Sequence, residues 1–218
     1  MRIVVTAGPT REYIDDVRFI SNPSSGKMGY LVAAEALRRG HKVELVTGPV
    51  CLEAPPCARV CCFESVDDLY RLARRAIAKA DCLIMAAAVG DYRPKRKIPG
   101  KHKKGASFAL QLVAVRDVLA SLSRRFRGKI FVGFAVEVKN AVANARKKVK
   151  EKALDMLVLN TPVSFGADRA EFTFVFPNGE TRSLGRVTKA AVAVAILDVV
   201  EGLLERDGPP AVREKRYG

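Results

Sequence analysis

Acidic residues are heavily outnumbered in this sequence. Its 218 residues carry 38 Lys and Arg against 23 Asp and Glu, a formal charge of +15. A chain this basic calls for anionic partners or a well-solvated surface. Nucleic acid is one partner class; a nucleoside triphosphate together with a phosphorylated acid is another. Histidine is scarce too, with only His41 and His102. The five cysteines, Cys51, Cys57, Cys61, Cys62 and Cys82, form no C-x-x-C pair. Both facts argue against a zinc site and for small buried or half-buried thiols in a reducing compartment. A disulfide from one of the first four stays open for a hyperthermophilic source, a direction in which the single glutamine, Gln111, also leans. Long apolar runs are missing as well. Leu83–Val89 and Ala190–Leu197 fall far short of the ~20 residues a membrane helix needs. Arg2, Arg11 and Glu12 interrupt any secretory apolar region. The expectation is a cytoplasmic protein without a membrane partner.

What is there alternates. Apolar runs suited to buried parallel strands occur at Ile3–Ala7, Val43–Val46, Leu83–Ala88, Ile130–Phe134 and Met156–Leu159. Helical patterns lie between them at Tyr30–Arg39, Val66–Ala80, Arg116–Arg125 and Lys139–Lys152. Short strands are further candidates at Ala58–Cys62 and Phe108–Leu112. The order predicts an α/β fold, a Rossmann-like, doubly wound, mainly parallel sheet. Near the end, Glu171–Phe176 alternates, Pro177-Asn178-Gly179 signals a hairpin, and Thr181–Leu184 follows, which predicts an antiparallel edge. Val187–Leu204 reads as a long helix, apolar around much of its circumference, suited to deep packing or an interface. The spacing predicts one domain over residues 1–205, with a basic flap inserted at about 91–112 and a basic, fraying tail at 206–218.

The flap packs Arg93, Lys95, Arg96, Lys97, Lys101, Lys103 and Lys104 among Pro94, Pro99 and Gly100. Such a run is commonly a solvated loop. It could bind RNA, although only Tyr92 is near for base stacking. It could also close as a lid over a triphosphate and keep water from a reactive intermediate.

The densest motif is Val17-Arg18-Phe19-Ile20-Ser21-Asn22-Pro23-Ser24-Ser25-Gly26-Lys27-Met28-Gly29, between the first strand and the first helix. A Ser- and Gly-rich loop there aims backbone N–H groups at the positive end of a helix dipole, where anions bind. The bland alternative is a helix N-cap with small residues for close packing. A Walker loop needs Gly where this chain has Ser21 and Ser or Thr where it has Met28. G-x-G-x-x-G is missing as well, and Thr47-Gly48-Pro49 follows the second strand in place of an acidic residue. A nicotinamide oxidoreductase is therefore disfavoured. No Cys or Ser nucleophile with a partner base is evident.

Together with Thr6-Ala7-Gly8-Pro9-Thr10-Arg11, that motif resembles the phosphopantothenate–cysteine ligases. The resemblance continues through Met85-Ala86-Ala87-Ala88-Val89-Gly90-Asp91-Tyr92-Arg93-Pro94, Lys101-His102-Lys103-Lys104 and Val132-Gly133-Phe134-Ala135-Val136-Glu137. It ends with Lys148, Lys152, Asp155 and Asn160. These blocks follow the family's order and spacing from the first strand to about Ala190.

The resemblance implies an enzyme of coenzyme A biosynthesis. A nucleoside triphosphate, with Mg2+ on its phosphates, would activate 4′-phosphopantothenate to an acyl-nucleotide, and L-cysteine would then displace the nucleoside monophosphate. The pattern at Met85–Ala88, Asp91 and the two lysines resembles members that use CTP rather than ATP. By resemblance Asn22 grips the acyl intermediate, and Lys101 neutralises triphosphate charge and promotes acyl-nucleotide formation. Gly8, Met85, Ala86, Ala87, Asp91, Arg116, Asp117, Val118, Leu119, Phe134, Lys148 and Lys152 contact the nucleotide. Ser25, Gly26, Lys27, Met28 and Ala88 border the phosphopantothenate. Arg18 reaches it from the neighbouring subunit of a homodimer. Two departures stand out. The family usually has Asn-Pro-Asp where this chain has Val115-Arg116-Asp117, and Ala where it has Gly90. The family also often occurs fused to a flavin-dependent decarboxylase. The rival from another class is a basic RNA-binding module without catalysis, which would bind RNA in a salt-sensitive way.

Overall fold

The computed structural model describes residues 1–161 and 166–207. Its centre is an eight-stranded sheet in the order β12-β11-β10-β9-β6-β1-β4-β5. The parallel part consists of β1 (Arg2–Ala7), β4 (Lys42–Thr47), β5 (Arg59–Cys62), β6 (Cys82–Met85), β9 (Ile130–Val136) and β10 (Met156–Asn160). Counting parallel strands alone, this is the doubly wound order, with a switch point between β1 and β6. β11 (Arg169–Val175) and β12 (Thr181–Thr188) add the antiparallel edge, turned at Asn178-Gly179 as the hairpin signal predicts.

Strand alternation assigns the helices to faces. Ile3, Val5 and Ala7 of β1 join one core with α1 (Lys27–Arg38) and α5 (Lys189–Asp207). Val4 points to the other core, shared with α2 (Val66–Ile77), α3 (Val118–Arg125) and α4 (Ala141–Glu151). Both faces are thus covered, which is why these strands read as continuous apolar runs. α5 buries Val192, Ala193, Ile196, Leu197 and Val200 against α1 and the sheet. Arg39, only 15% exposed, ties the two helices by pairing with Glu35, Asp198 and Glu201.

Several predicted boundaries move. α1 starts at Lys27 rather than Tyr30, because Gly26, at φ 76°, ends the loop one turn earlier. The run Leu83–Ala88 is strand only to Met85, yet its continuation stays zipped to the first strand's continuation. Ala86 N–H donates to the Thr6 carbonyl, Ala88 N–H to Gly8, and Thr10 N–H to Ala88. α3 starts at Val118 rather than Arg116, with Asp117 as its cap. The strand expected at Phe108–Leu112 is instead β8 (Leu112–Ala114), antiparallel to β7 (Tyr92–Pro94). A hairpin absent from the sequence reading, β2 (Arg11–Tyr13) and β3 (Phe19–Ser21), sits between the first strand and α1.

The cysteines also differ from expectation. None of the five is in a disulfide; Cys82 is buried, but Cys51, Cys57 and Cys62 are exposed. Among the described residues no helix is long and apolar enough to cross a membrane. Most of the expected tail lies outside the described residues; its first two positions belong to α5.

Candidate active site

A cleft of about 610 Å³ opens at the carboxyl ends of β6, β9 and β10, beside the loop that leads into α1. This is where open α/β sheets take ligands, outside the switch point. Asn22, the loop Ser24–Met28, Met85–Asp91, Arg116–Leu119, Phe134, Lys148 and Lys152 all line it. Segments far apart in sequence therefore converge because parallel strands deliver their loops to one edge.

The loop before α1 is held at its start. Asn22 Nδ2 donates to the Val89 carbonyl at 2.9 Å, which fixes the amide beside the Ala86–Asp91 segment. Ser21 Oγ donates to the Thr10 carbonyl at 2.8 Å. The helix itself has no side-chain cap and no acidic residue in its first turn. The N-cap alternative thus fails in its usual form. The serine hydroxyls make only long contacts, 3.3 Å from Gly26 N–H to Ser24 and 3.4 Å from Lys27 N–H to Ser25. An N-terminus left this way suits an incoming anion.

Glycines set the close approaches. A Cβ on Gly29 would lie 2.6 Å from that of Ala7 and 2.8 Å from the Thr6 carbonyl. α1 can pack onto the end of β1 only because nothing is there. Gly8 serves packing too. It does not line the cleft. At φ 76°, with the Val50 side chain 2.9 Å from where its Cβ would be, it lets the turn after β1 lie against the Gly48 and Gly26 backbones.

The wall formed by α3 and α4 carries two lysine–carboxylate pairs. Lys148 Nζ meets Glu137 at 2.6 Å, and Lys152 Nζ meets Asp117 at 2.9 Å. The Lys148 hydrogen bond, with help from Asn144, holds the Glu137 carboxyl below its ordinary range. Asp117 also caps α3 through Ala120 N–H at 2.9 Å. The turn at Val115-Arg116-Asp117 is braced without a proline. Arg116 lies 4.0 Å over the Tyr70 ring of α2, and Val115 N–H donates to the Asp91 carbonyl at 3.0 Å. Phe134, half-buried, forms part of the cleft lining and packs against the core beneath.

Arg18 and Lys101, like Gly8, are not among the residues that line this cleft. Arg18 and Lys101 line a separate cavity of about 800 Å³ with His102–Phe108. The flap is folded onto the β2–β3 turn rather than over the cleft. Asp15, buried, accepts from Val17, Arg18 and His102 N–H groups and pairs with Arg18 at 3.2 Å. The Val17 hydrogen bond leads the causes that hold its pKa below the ordinary value. Asp16 accepts from Gly100 N–H at 2.8 Å and pairs with Lys97 at 2.7 Å. Ile98 N–H donates to the Ile14 carbonyl. The basic run is therefore one arm with the hairpin, bound by carboxylates at the hairpin turn and standing away from this chain's own cleft. Sequence reading missed Asp168, Phe172 and Lys189. Phe172 and Lys189 line the cleft, and Asp168 touches it through Lys27. No local motif marks them, since they sit on the antiparallel edge and the last helix.

Residues 1–203 match the family described as DNA/pantothenate metabolism flavoprotein C-terminal domain. The chain belongs to this family. Among family relatives it is 37% identical over 212 residues to the coenzyme A biosynthesis bifunctional protein CoaBC of Bacillus subtilis, covering 94% of this chain and 52% of that protein. The chain thus spans about half the length of the curated relatives it matches. It is also similar to a crystal structure of the C-terminal domain of CoaBC, with a TM-score of 0.83 and 37% identity over 94% of this chain and 96% of that one. A structure of a Cab2 mutant in complex with phosphopantothenate-cysteine shares the fold, at a TM-score of 0.73 and 17% identity over 94% and 88% of the two chains.

Proposed function

We propose that this chain is a phosphopantothenate–cysteine ligase domain of coenzyme A biosynthesis. It uses CTP to convert 4′-phosphopantothenate to an acyl-cytidylate and pyrophosphate, then condenses that intermediate with L-cysteine and releases CMP. One observation carries the reading: motif blocks spread from Asn22 to Lys152 share a single cleft at the sheet's switch point.

Asn22, oriented by its bond to Val89, holds the acyl intermediate while cysteine's amine attacks. Met85–Ala87, Asp91 and Phe134 receive the base. A carboxylate is a poor electrophile until its oxygen becomes a leaving group. Cations and backbone N–H groups that meet charge developing on pyrophosphate lower that barrier, a role that falls to Lys148, Lys152 and the start of α1. Among the described residues no three His, Cys, Asp or Glu side chains cluster as metal ligands. Magnesium would enter as part of the nucleotide, on its phosphates.

Arg18 and Lys101 share an arm that stands clear of its own cleft. The reading that uses both is a homodimer in which each arm serves the partner's cleft. The relatives' other half makes a flavin-dependent decarboxylase, fused or separate, the expected partner, in the cytoplasm.

The test is a nucleotide panel. The protein is mixed with 4′-phosphopantothenate, cysteine and Mg2+, CTP or ATP is added, and 4′-phosphopantothenoylcysteine is sought by mass spectrometry. Product with CTP and release of CMP is expected. Product with ATP alone would keep the ligation and overturn the base assignment. No product with either, from folded dimeric protein, would overturn the function.

A further inference from the structure

The wall of the cleft facing Lys148 and Lys152 is built from the first turns of α1 and α5. Lys27, from α1, and Lys189, the first residue of α5, both line it. Lys27 Nζ is ion-paired to Asp168, and the Lys189 backbone N–H donates to the Asp168 carbonyl at 3.1 Å. Burial, followed by the charge of Lys27, pushes the Lys189 pKa down against the pull of Asp168. Two ammonium groups thus line one wall and repel one another, while the Asp168 carboxylate is paired with Lys27. That carboxylate is 79% exposed, and water screens an ion pair so solvated. It opens at little cost. An anion with several oxygens could serve both lysines, which a single carboxylate pointing at Lys27 does not.

We propose that Lys27 and Lys189 form a phosphate-receiving pair, with Asp168 as the counter-anion that holds Lys27 until phosphate displaces it. Lys189 and Asp168 are thereby added to the ligand-binding residues. The inference rests on reading the cleft as a site for phosphorylated ligands, and it concerns which wall takes a phosphate. Two ligands could bring one: the nucleotide through its β- and γ-phosphates, or phosphopantothenate through its terminal phosphate.

The test is calorimetric titration of the dimeric protein with pyrophosphate, CTP, CMP, 4′-phosphopantothenate and pantothenate. Lys189→Gln should weaken pyrophosphate binding at least about tenfold, as loss of one charge-assisted contact implies. Lys189→Arg should recover most of it. Asp168→Asn should tighten it severalfold, because a competing anion is gone; a merely structural Asp168 would not give a gain. If Lys189→Gln weakens CTP but leaves CMP unchanged, the phosphate is the nucleotide's. If it weakens 4′-phosphopantothenate but not pantothenate, the phosphate is that substrate's. Unchanged affinity for every phosphorylated ligand in folded Lys189→Gln protein would overturn the pair. If Lys189→Gln does not fold, the decision passes to Asp168→Asn alone, and unchanged or weaker binding there overturns the pair. Turnover in the nucleotide panel is scored separately: an active enzyme indifferent to Lys189→Gln rejects the pair and keeps the ligase, whereas Lys189-dependent pyrophosphate binding without turnover does the reverse.

Discussion

The cleft and the arm are made of similar residues and organised in opposite ways. In the cleft, Lys148 and Lys152 stand on a helix whose Ala145 and Val149 are buried against the sheet, and Asn22 is bonded to the backbone beyond β6. These groups are positioned by the sheet. In the arm, Arg18 and Lys101 are held by Asp15, Asp16 and backbone hydrogen bonds over a two-stranded ribbon. A two-stranded ribbon is marginal by itself, so its order comes from those carboxylates. The lesson is that the same charge, Lys, is a fixed part of one site and a group offered outward in the other. Burial of the supporting element makes the difference.

The sharpest way to break that comparison is to ask whether the two regions complete one site. Asn22→Ala should lower product formation on the order of a hundredfold, the scale of removing one polar group that binds a transition state. Arg18→Ala should be comparably poor. Mixing the two variants and allowing subunits to exchange should restore about a quarter of wild-type activity, because half the dimers then hold one intact site of two. No recovery, with exchange verified by native mass spectrometry, would mean that arm and cleft do not meet across subunits.

A smaller effect probes the cleft alone. Tyr70 does not line it, yet Arg116 rests on its ring. Tyr70→Ala should raise KM for the nucleotide a few-fold, consistent with the loss of a cation–π contact of about 1 kcal/mol, while kcat stays near wild type. An equal fall in kcat would place the stack in the chemistry rather than in positioning.

The smallest expected effect on activity comes from the frame beneath both regions. Glu35 is held down to about 2 from an ordinary 4.5, by Arg38 first and Arg39 as well. Its contribution is complete above about pH 4.5 and disappears as pH falls toward 2. Arg39→Ala should cost about 2 kcal/mol in urea unfolding at pH 7 by removing the charge-assisted bonds that join Glu35 of α1 to Asp198 and Glu201 of α5, with activity unchanged at 25 °C. Glu35→Gln should flatten the loss of stability between pH 4.5 and 2. An activity loss larger than the stability loss would show that the α1–α5 seam reaches the cleft.

The fold was legible because its signal is local. A strand buried on both faces must be apolar throughout, as in Cys82–Met85, and an amphipathic helix must show its period, so the α/β alternation and the antiparallel edge could be read directly. Boundaries were less legible where backbone conformation decides them. Gly26 starts α1 a turn early, and Ala86–Ala88 stays extended beside the first strand without being assigned to it. Asn22, the Ser24–Met28 loop and Lys148/Lys152 were identifiable from their motifs, and the sheet's parallel topology brings them together. Sequence could not separate Gly8 from its neighbours as a packing residue, because the contact that excludes a Cβ comes from Val50 and Gly48, far along the chain. Nor could it find Lys189 or Asp168, which reach the cleft only because the last hairpin and helix fold back beside α1. Periodicity and motif spacing are properties of neighbours in sequence, so the chain alone determined its elements and marked the loops that meet at the cleft. Which charges face which, and which arm stands apart from its own cleft, depend on contacts between distant segments, and these exist only once the sheet has closed.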